Sequence, residues 1–333
     1  MKQALFGSLL LAVVVIGLGA FTRLTDAGLG CPDWPGCYGQ LAVPSDSSQI
    51  AKAEQAYPER PFEAHKAWNE MVHRYFAGSL GLLVFVLTVM AWRRKQRAGL
   101  ALLATAVIVF QAALGMWTVT LGLMPLVVMG HLLGGFSMLS ILYLWYRTSD
   151  GGLSLPGRRA WPVYLGMLIL VGQIALGGWT SANYAALSCQ GLPVCHEPWT
   201  EQYRLDAFHP LPQSERGDYE FGVLSHQQRV SIHVTHRIWA AVTAAYWLLL
   251  CLSLLQTRNP TNRAAATVLT LLFCQVGLGV ANVLWQIPLG VAVAHNLGAA
   301  LLLLSGWELL LSHSRQIVST SKEVVHGTYS HSA

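Results

Sequence analysis

Residues 70–91 read EMVHRYFAGSLGLLVFVLTVMA, and residues 233–254 read HVTHRIWAAVTAAYWLLLCLSL. Each is a mostly apolar run of about 20 residues, the length that crosses the hydrocarbon of a bilayer. Each also carries a His-Arg pair near its start, His73-Arg74 and His236-Arg237. An imidazole inside a membrane is costly and usually functional. Two further histidines follow the same plan: His131 shortly after Pro125, and His295 shortly after Pro288. His236 follows His73 by 163 positions (236 − 73), and His295 follows His131 by 164 (295 − 131). Half of the chain is therefore read as a duplicate of the other half.

The composition agrees with a membrane protein: 53% of the 333 residues are hydrophobic and only 11% are charged. Eight stretches are long enough to span, approximately 4–22, 70–91, 99–118, 126–146, 161–180, 232–255, 264–284 and 289–311. In lipid each backbone amide must be satisfied within its own segment, so these are expected to be helices. The first is read as a retained helix and not a cleaved leader, because its apolar run is long and no small-residue cleavage site precedes Thr22.

The net charge of +5 gives little support to a nucleic-acid partner, because the basic residues cluster in short loops. They are Arg93, Arg94, Lys95 and Arg97, then Arg147, Arg158 and Arg159, then Arg258 and Arg263. The positive-inside rule puts these loops in the cytoplasm. Both termini follow them, with Lys2 at one end and Arg315 and Lys322 at the other. The long polar loops 23–69 and 181–228 then face outward.

Other features repeat in the same order. Cys31 and Cys37 recur as Cys189 and Cys195, and Gly19 and Thr22 recur as Gly177 and Thr180. Gln111-Ala112-Ala113-Leu114-Gly115 resembles Gln275-Val276-Gly277-Leu278-Gly279. With four helices per half, both repeats have the same orientation and are expected to be related by an axis near the membrane normal. The expected fold is all-α and integral to the membrane: eight transmembrane helices as two parallel-repeat four-helix bundles, residues 1–150 and 151–311. A polar cytoplasmic tail, residues 312–333, is expected to be mobile.

The histidines fall on the second and fourth helix of each half and share a depth, as two ligands on opposite faces of one heme must. Neutral imidazole is a common axial ligand to heme iron. Two other readings stand beside this one. A lone intramembrane histidine can simply bond to a neighbouring helix, and zinc or copper usually gathers three or four ligands at one point. Gly130, Gly134, Gly135 and Gly298 are small enough to admit a neighbouring helix or a flat macrocycle. Arg74 and Arg237 suit heme propionates and equally suit interface anchoring.

The repeat breaks at Glu70, whose counterpart is His233. A carboxylate near a porphyrin edge could handle protons during oxidation of a ring substituent. Position alone favours the plainer reading, a Glu in a first helical turn. The cysteine pairs, on the oxidising side, are expected to form the disulfides Cys31–Cys37 and Cys189–Cys195. They act as staples over a heme pocket or as redox-active pairs. Cys251 and Cys274 are read as small core residues.

Taken together, these residues resemble the heme A synthases of bacteria and mitochondria, over nearly the whole chain. The resemblance rests on Glu70 with His73-Arg74, on Gly130-His131-Leu132, His236-Arg237 and His295-Asn296, and on the Cys31/Cys37 loop. It implies oxidation of a pyrrole methyl of heme O to a formyl group, which we read as successive hydroxylations through a gem-diol that loses water. It further implies that His73 and His131 ligate the substrate heme O, and that His236 and His295 ligate the iron of a resident heme b that relays electrons. Glu70 becomes the catalytic carboxylate, reversing the plainer reading. The resemblance also implies the bacterial inner membrane, with the heme sites toward the outer side. The implied partners are membrane lipid, a heme O synthase, an unknown electron donor and a terminal oxidase that receives the product; homo-oligomerisation stays open. The competing functions are a diheme electron-transfer cytochrome, which gives no reason for Glu70 and His233 to differ, and a heme transporter or chaperone.

Overall fold

A computed structural model of the protein describes residues 1–94, 98–149, 157, 160–193, 195, 198–211, 214, 217–256 and 261–329, with side chains as far as His313. Ten α-helices follow in order among these residues. They are α1 (Lys2–Leu24), α2 (Ser47–Ala56), α3 (Ala64–Arg93), α4 (Ala98–Thr120), α5 (Pro125–Thr148), α6 (Trp161–Ala182), α7 (Trp199–Gln202), α8 (His226–Leu255), α9 (Asn262–Leu284) and α10 (Leu289–Tyr329). A 3-10 turn, Leu205–Phe208, lies between α7 and α8. No strand occurs among the described residues. Eight of the helices are long and apolar enough to cross a membrane, so the chain is an all-helical, multi-pass membrane protein, as expected.

The ends of the helices differ from expectation for a physical reason. Helices α3 and α8 begin at Ala64 and His226, ahead of the apolar runs, because their first turns are polar and project beyond the span. For α8 the start carries a capping box: the Ser225 hydroxyl accepts from Gln228 N, and the Gln228 side chain accepts from Ser225 N. Helix α10 continues to Tyr329, through most of the tail expected from Ser312. Lys95, Arg97, Arg158, Arg159 and Arg258 lie outside the described residues, as do the side chains of Arg315 and Lys322.

The helices α1, α3, α4 and α5 close a ring of neighbours, and α6, α8, α9 and α10 close another. The seam between the rings joins α1 to α10 and α5 to both α6 and α10. Lipid tails give no hydrophobic drive for helices to associate, so close packing and hydrogen bonds must hold such a seam. Both are present. Phe136, Leu139, Leu142 and Trp145 of α5 belong to one buried cluster with Val163, Leu302 and Leu309. Glu308 of α10 accepts from Tyr143 Oη at 2.5 Å and from Arg147 Nε and Nη2 at 2.8 and 2.6 Å, a bidentate pairing that fixes orientation.

Tight turns close each ring at the same end. Gly122 and Leu123, between α4 and α5, have φ of 55° and 63°; Gln286 and Ile287, between α9 and α10, have φ of 55° and 58°.

Candidate functional site

His73 on α3 and His131 on α5 face each other inside the first ring, with ring centroids 6.3 Å apart and planes at 84°. Each ring rests on a glycine of an adjacent helix. A Cβ built on Gly19 of α1 would lie 2.9 Å from His73 Cε1, and one on Gly115 of α4 would lie 3.5 Å from His131 Cε1. The second ring repeats this arrangement. Gly177 of α6 lies under His236 of α8, and Gly279 of α9 under His295 of α10, with corresponding distances of 3.3 and 3.1 Å. These four glycines were visible only as repeat markers, because nothing along the chain tells which helix meets which.

Glutamines complete each ring. Gln111 Nε2 donates to His131 O at 2.8 Å, and Gln275 Nε2 donates to His295 O at 2.9 Å. Gly134 and Gly298, expected to admit a helix or macrocycle, instead make room for these side chains: a Cβ on either would collide with the glutamine Oε1.

The donor set suits a group held from two sides. With metal–imidazole bonds of about 2 Å, two rings on opposite faces of one ion have centroids roughly 6 Å apart, close to the spacing of His73 and His131. Nδ1 of His73, His131 and His295 is buried without a hydrogen-bond partner, and so is Oε1 of Gln111 and Gln275. Buried polar atoms normally have partners, so these mark positions built for something else. Among the described residues no three His, Cys, Asp or Glu side chains gather at one point, which leaves two histidines, not a zinc-like cluster, in each ring.

Glu70 is buried, 5% exposed. Because α3 starts at Ala64, Glu70 lies beyond the first turn, where the pull of the helix dipole has already fallen off. Its partners explain its position instead. Glu70 Oε2 accepts from Cys31 N at 2.8 Å, and Oε1 accepts from Arg74 Nη2 at 2.5 Å. Arg74 Nη1 donates to Asp33 O at 3.0 Å and to Gly36 O. Carboxylate and guanidinium together clip the disulfide loop Cys31–Cys37 onto the helix that carries His73. Burial, ahead of the nearby Glu63 charge, pushes the Tyr38 phenol above its ordinary pKa. Its hydroxyl lies 3.2 Å from both Arg60 O and Pro61 O and shares its single proton between them, tying the same loop to the segment ahead of α3.

The second ring has the same clip with a different member. Cys189 and Cys195 form a disulfide. Arg237 Nη1 and Nη2 donate to Gly191 O and Cys189 O at 2.8 and 2.6 Å. His233 stands where Glu70 does, with Cys189 N 3.3 Å from Nδ1 and Arg237 Nε 3.2 Å from Nε2. A carboxylate accepts both bonds at once, whereas a neutral imidazole has one accepting nitrogen, so this clip is weaker at that point. Both arginines, expected as propionate contacts or anchors, thus direct donors at the cysteine loops.

The loop between α6 and α8 also reaches across to the first ring. Tyr219 N donates to Gly122 O at 2.7 Å, and Asp218 and Glu220 bind Arg60 at 2.7 and 2.9 Å. Arg23 of α1 donates to Ser181 O at 2.6 Å and stacks 3.9 Å over the Tyr184 ring. Arg60→Ala is expected to lower stability by about 1 kcal/mol, since part-exposed ion pairs contribute little. Unfolding followed in detergent at low and high salt checks this: the difference from wild type should shrink as salt rises.

The sequence profile of COX15-CtaA, cytochrome oxidase assembly protein, matches residues 2–306. The chain is 47% identical over 305 residues to a heme A synthase of Shewanella oneidensis, covering 90% of this chain and 92% of that one. It is 26% identical to one of Sphingopyxis alaskensis over 88% of this chain and 86% of the other. It is 28% identical to one of Caulobacter vibrioides over 89% and 90%.

Proposed function

The chain belongs to the COX15-CtaA family of cytochrome oxidase assembly proteins, and from that premise we propose that it converts heme O to heme A. The observation that carries the reading to particular atoms is the facing pair His73 and His131, 6.3 Å apart beside the buried Glu70. On this reading residues 1–150 form the substrate half, with His73 and His131 as ligands to heme O. Residues 151–311 form the repeat that retains a heme b between His236 and His295, and a bound heme b would supply one-electron transfer. The protein would lie in the inner membrane with both termini in the cytoplasm and the disulfide loops outside. It would take substrate from a heme O synthase and pass product to a terminal oxidase.

The residues of the chain then have separate tasks. The glycines and glutamines set the angle of the histidine rings. Glu70 would hold or move a proton at Oε1 or Oε2 while the pyrrole methyl is hydroxylated twice, each time by an external two-electron oxidant with an oxygen atom from outside the chain, and the gem-diol then loses water to give the formyl group. The clipped loop Cys31–Cys37 excludes water from the Glu70 side.

Co-expression with a source of heme O, followed by pigment extraction, tests the proposal. A formyl heme is the expected product. Recovery of heme b and unconverted heme O alone would show the protein to be a carrier or cytochrome.

A further inference from the structure

Two aromatic side chains of α8 reach across to the backbone of α6. Trp239 Nε1 donates to Ile169 O at 3.0 Å, and Tyr246 Oη donates to Pro162 O at 2.8 Å. The donors are seven residues apart (246 − 239), and so are the acceptors (169 − 162). Seven residues are about two helical turns, so both bonds lie along one line of contact. Each side chain is seated on a glycine. A Cβ on Gly172 would lie 3.2 Å from Trp239 Nε1, and one on Gly166 would lie 3.1 Å from Tyr246 Cε1. From one turn past His236, the crevice between α6 and α8 is thus tied for two turns.

The first ring has none of these parts. The steps that carry Gly19 onto Gly177 (177 − 19) and His73 onto His236 (236 − 73) match Trp239 to Phe76 and Tyr246 to Leu83 in α3. They match Gly172 to Val14 and Gly166 to Ser8 in α1. Phe and Leu have no donor to give. The Ser8 hydroxyl is turned to Ala4 O of its own helix, and Phe76 and Val14 are 41% and 44% exposed. Helices α1 and α3 are tied beyond the histidine on the other side. There Thr22 Oγ1 donates to Asn69 O at 3.1 Å, and Asn69 Nδ2 donates to Thr25 Oγ1 at 3.2 Å.

The difference sets how easily each crevice opens. Parting α6 from α8 breaks both bonds and strands the Trp239 N–H among lipid tails, where no water replaces the lost acceptor. Parting α1 from α3 at the matched depth bares only apolar carbon. That costs little, because lipid tails are as apolar as the side chains.

We infer that the first ring exchanges its heme with the lipid through the α1–α3 crevice, and that Trp239 and Tyr246 bar the matching α6–α8 crevice so that the second ring keeps its heme. A heme is flat and largely apolar, so a side opening onto lipid suits it. The inference rests on the reading of the two rings as substrate and resident heme sites.

Transfer of heme from the holoprotein in detergent to excess apomyoglobin, followed optically, tests the bar. Protein made without a heme O source must first show a bis-histidine spectrum; its absence would overturn the heme reading itself, and this inference with it. Given that spectrum, Trp239→Phe with Tyr246→Leu, the residues of the first ring, is expected to release the slowest component roughly tenfold faster, about the worth of two interhelical bonds of ordinary strength. Tyr246→Phe alone removes one hydroxyl and should fall between, and it decides the matter if the double variant holds no heme. The reverse exchange, Phe76→Trp with Val14→Gly, is expected to slow formyl-heme formation from supplied heme O while the slow release stays at the wild-type rate. Unchanged release in the α8 variants would show the two bonds to be packing alone. Conversion at the wild-type rate with the indole installed in α3 would place the opening elsewhere and overturn the inference.

Discussion

Gly19→Val is expected to abolish heme A formation while leaving the second ring loaded with its pigment. A Cβ at Gly19 already falls 2.9 Å from His73 Cε1, closer than carbon atoms pack, and the two further methyl carbons of valine must occupy the space of the imidazole. The ring cannot simply withdraw. Glu70, one turn before His73, and Arg74, the next residue, are bound to the Cys31–Cys37 loop, which holds α3 in register. Displacement of a ligand by an ångström costs on the order of 10²-fold in rate. Gly78→Ala, on a membrane-spanning helix as well but with nothing within 4 Å of its Cβ, is the control and should convert normally. Product formation and a spectral count of bound heme, measured together, decide it; normal conversion by Gly19→Val would show that His73 does not hold the substrate.

Glu70→Ala is expected to have the next largest effect, on two quantities. A general acid or base contributes roughly 10²–10⁴-fold, so conversion should fall by at least the lower figure. Stability should fall as well, because Arg74, with its side chain 12% exposed, loses its carboxylate; breaking a buried pair costs about 3–5 kcal/mol. Glu70→Gln separates the two. Its amide oxygen can still accept from Cys31 N and its stability should lie closer to wild type, yet it cannot exchange a proton and should remain inactive. Full heme A formation by Glu70→Ala, in a background where His73→Ala has none, would remove Glu70 from the proton pathway.

The membrane architecture and the histidines were legible in the sequence because both depend on local pattern. An apolar run of sufficient length is a helix wherever it occurs in lipid, and a spacing that nearly recurs, 58 residues from His73 to His131 (131 − 73) and 59 from His236 to His295 (295 − 236), needs no knowledge of contacts. The disulfides followed from compartment and spacing. The start of α8 was marked by Ser225 and Gln228 and could have been read from that capping box. What could not be read lies between segments far apart in the chain. Gly19 under His73, Gln111 in the gap at Gly134, and Arg60 on Asp218 all depend on which helices or loops are neighbours. Arg74 and Arg237 illustrate the same limit: an arginine beside a candidate ligand suggests an anion, but the loop carbonyls that engage it are 38 to 48 residues distant.

The strip Asp218–Glu220 comes from the loop between α6 and α8 yet lies against Gly122 and Arg60 of the first ring. It sits on the turn at Gly122, where Tyr219 N donates to Gly122 O and Asp218 packs against the Gly122 backbone. A fragment ending near residue 150 would keep its four long helices, both histidines, Glu70 and the Cys31–Cys37 disulfide, and would lose the partners of Gly122 O and Arg60. That end of the first ring is thus completed by residues from beyond α6, so the two rings share a joint that lies outside their helices.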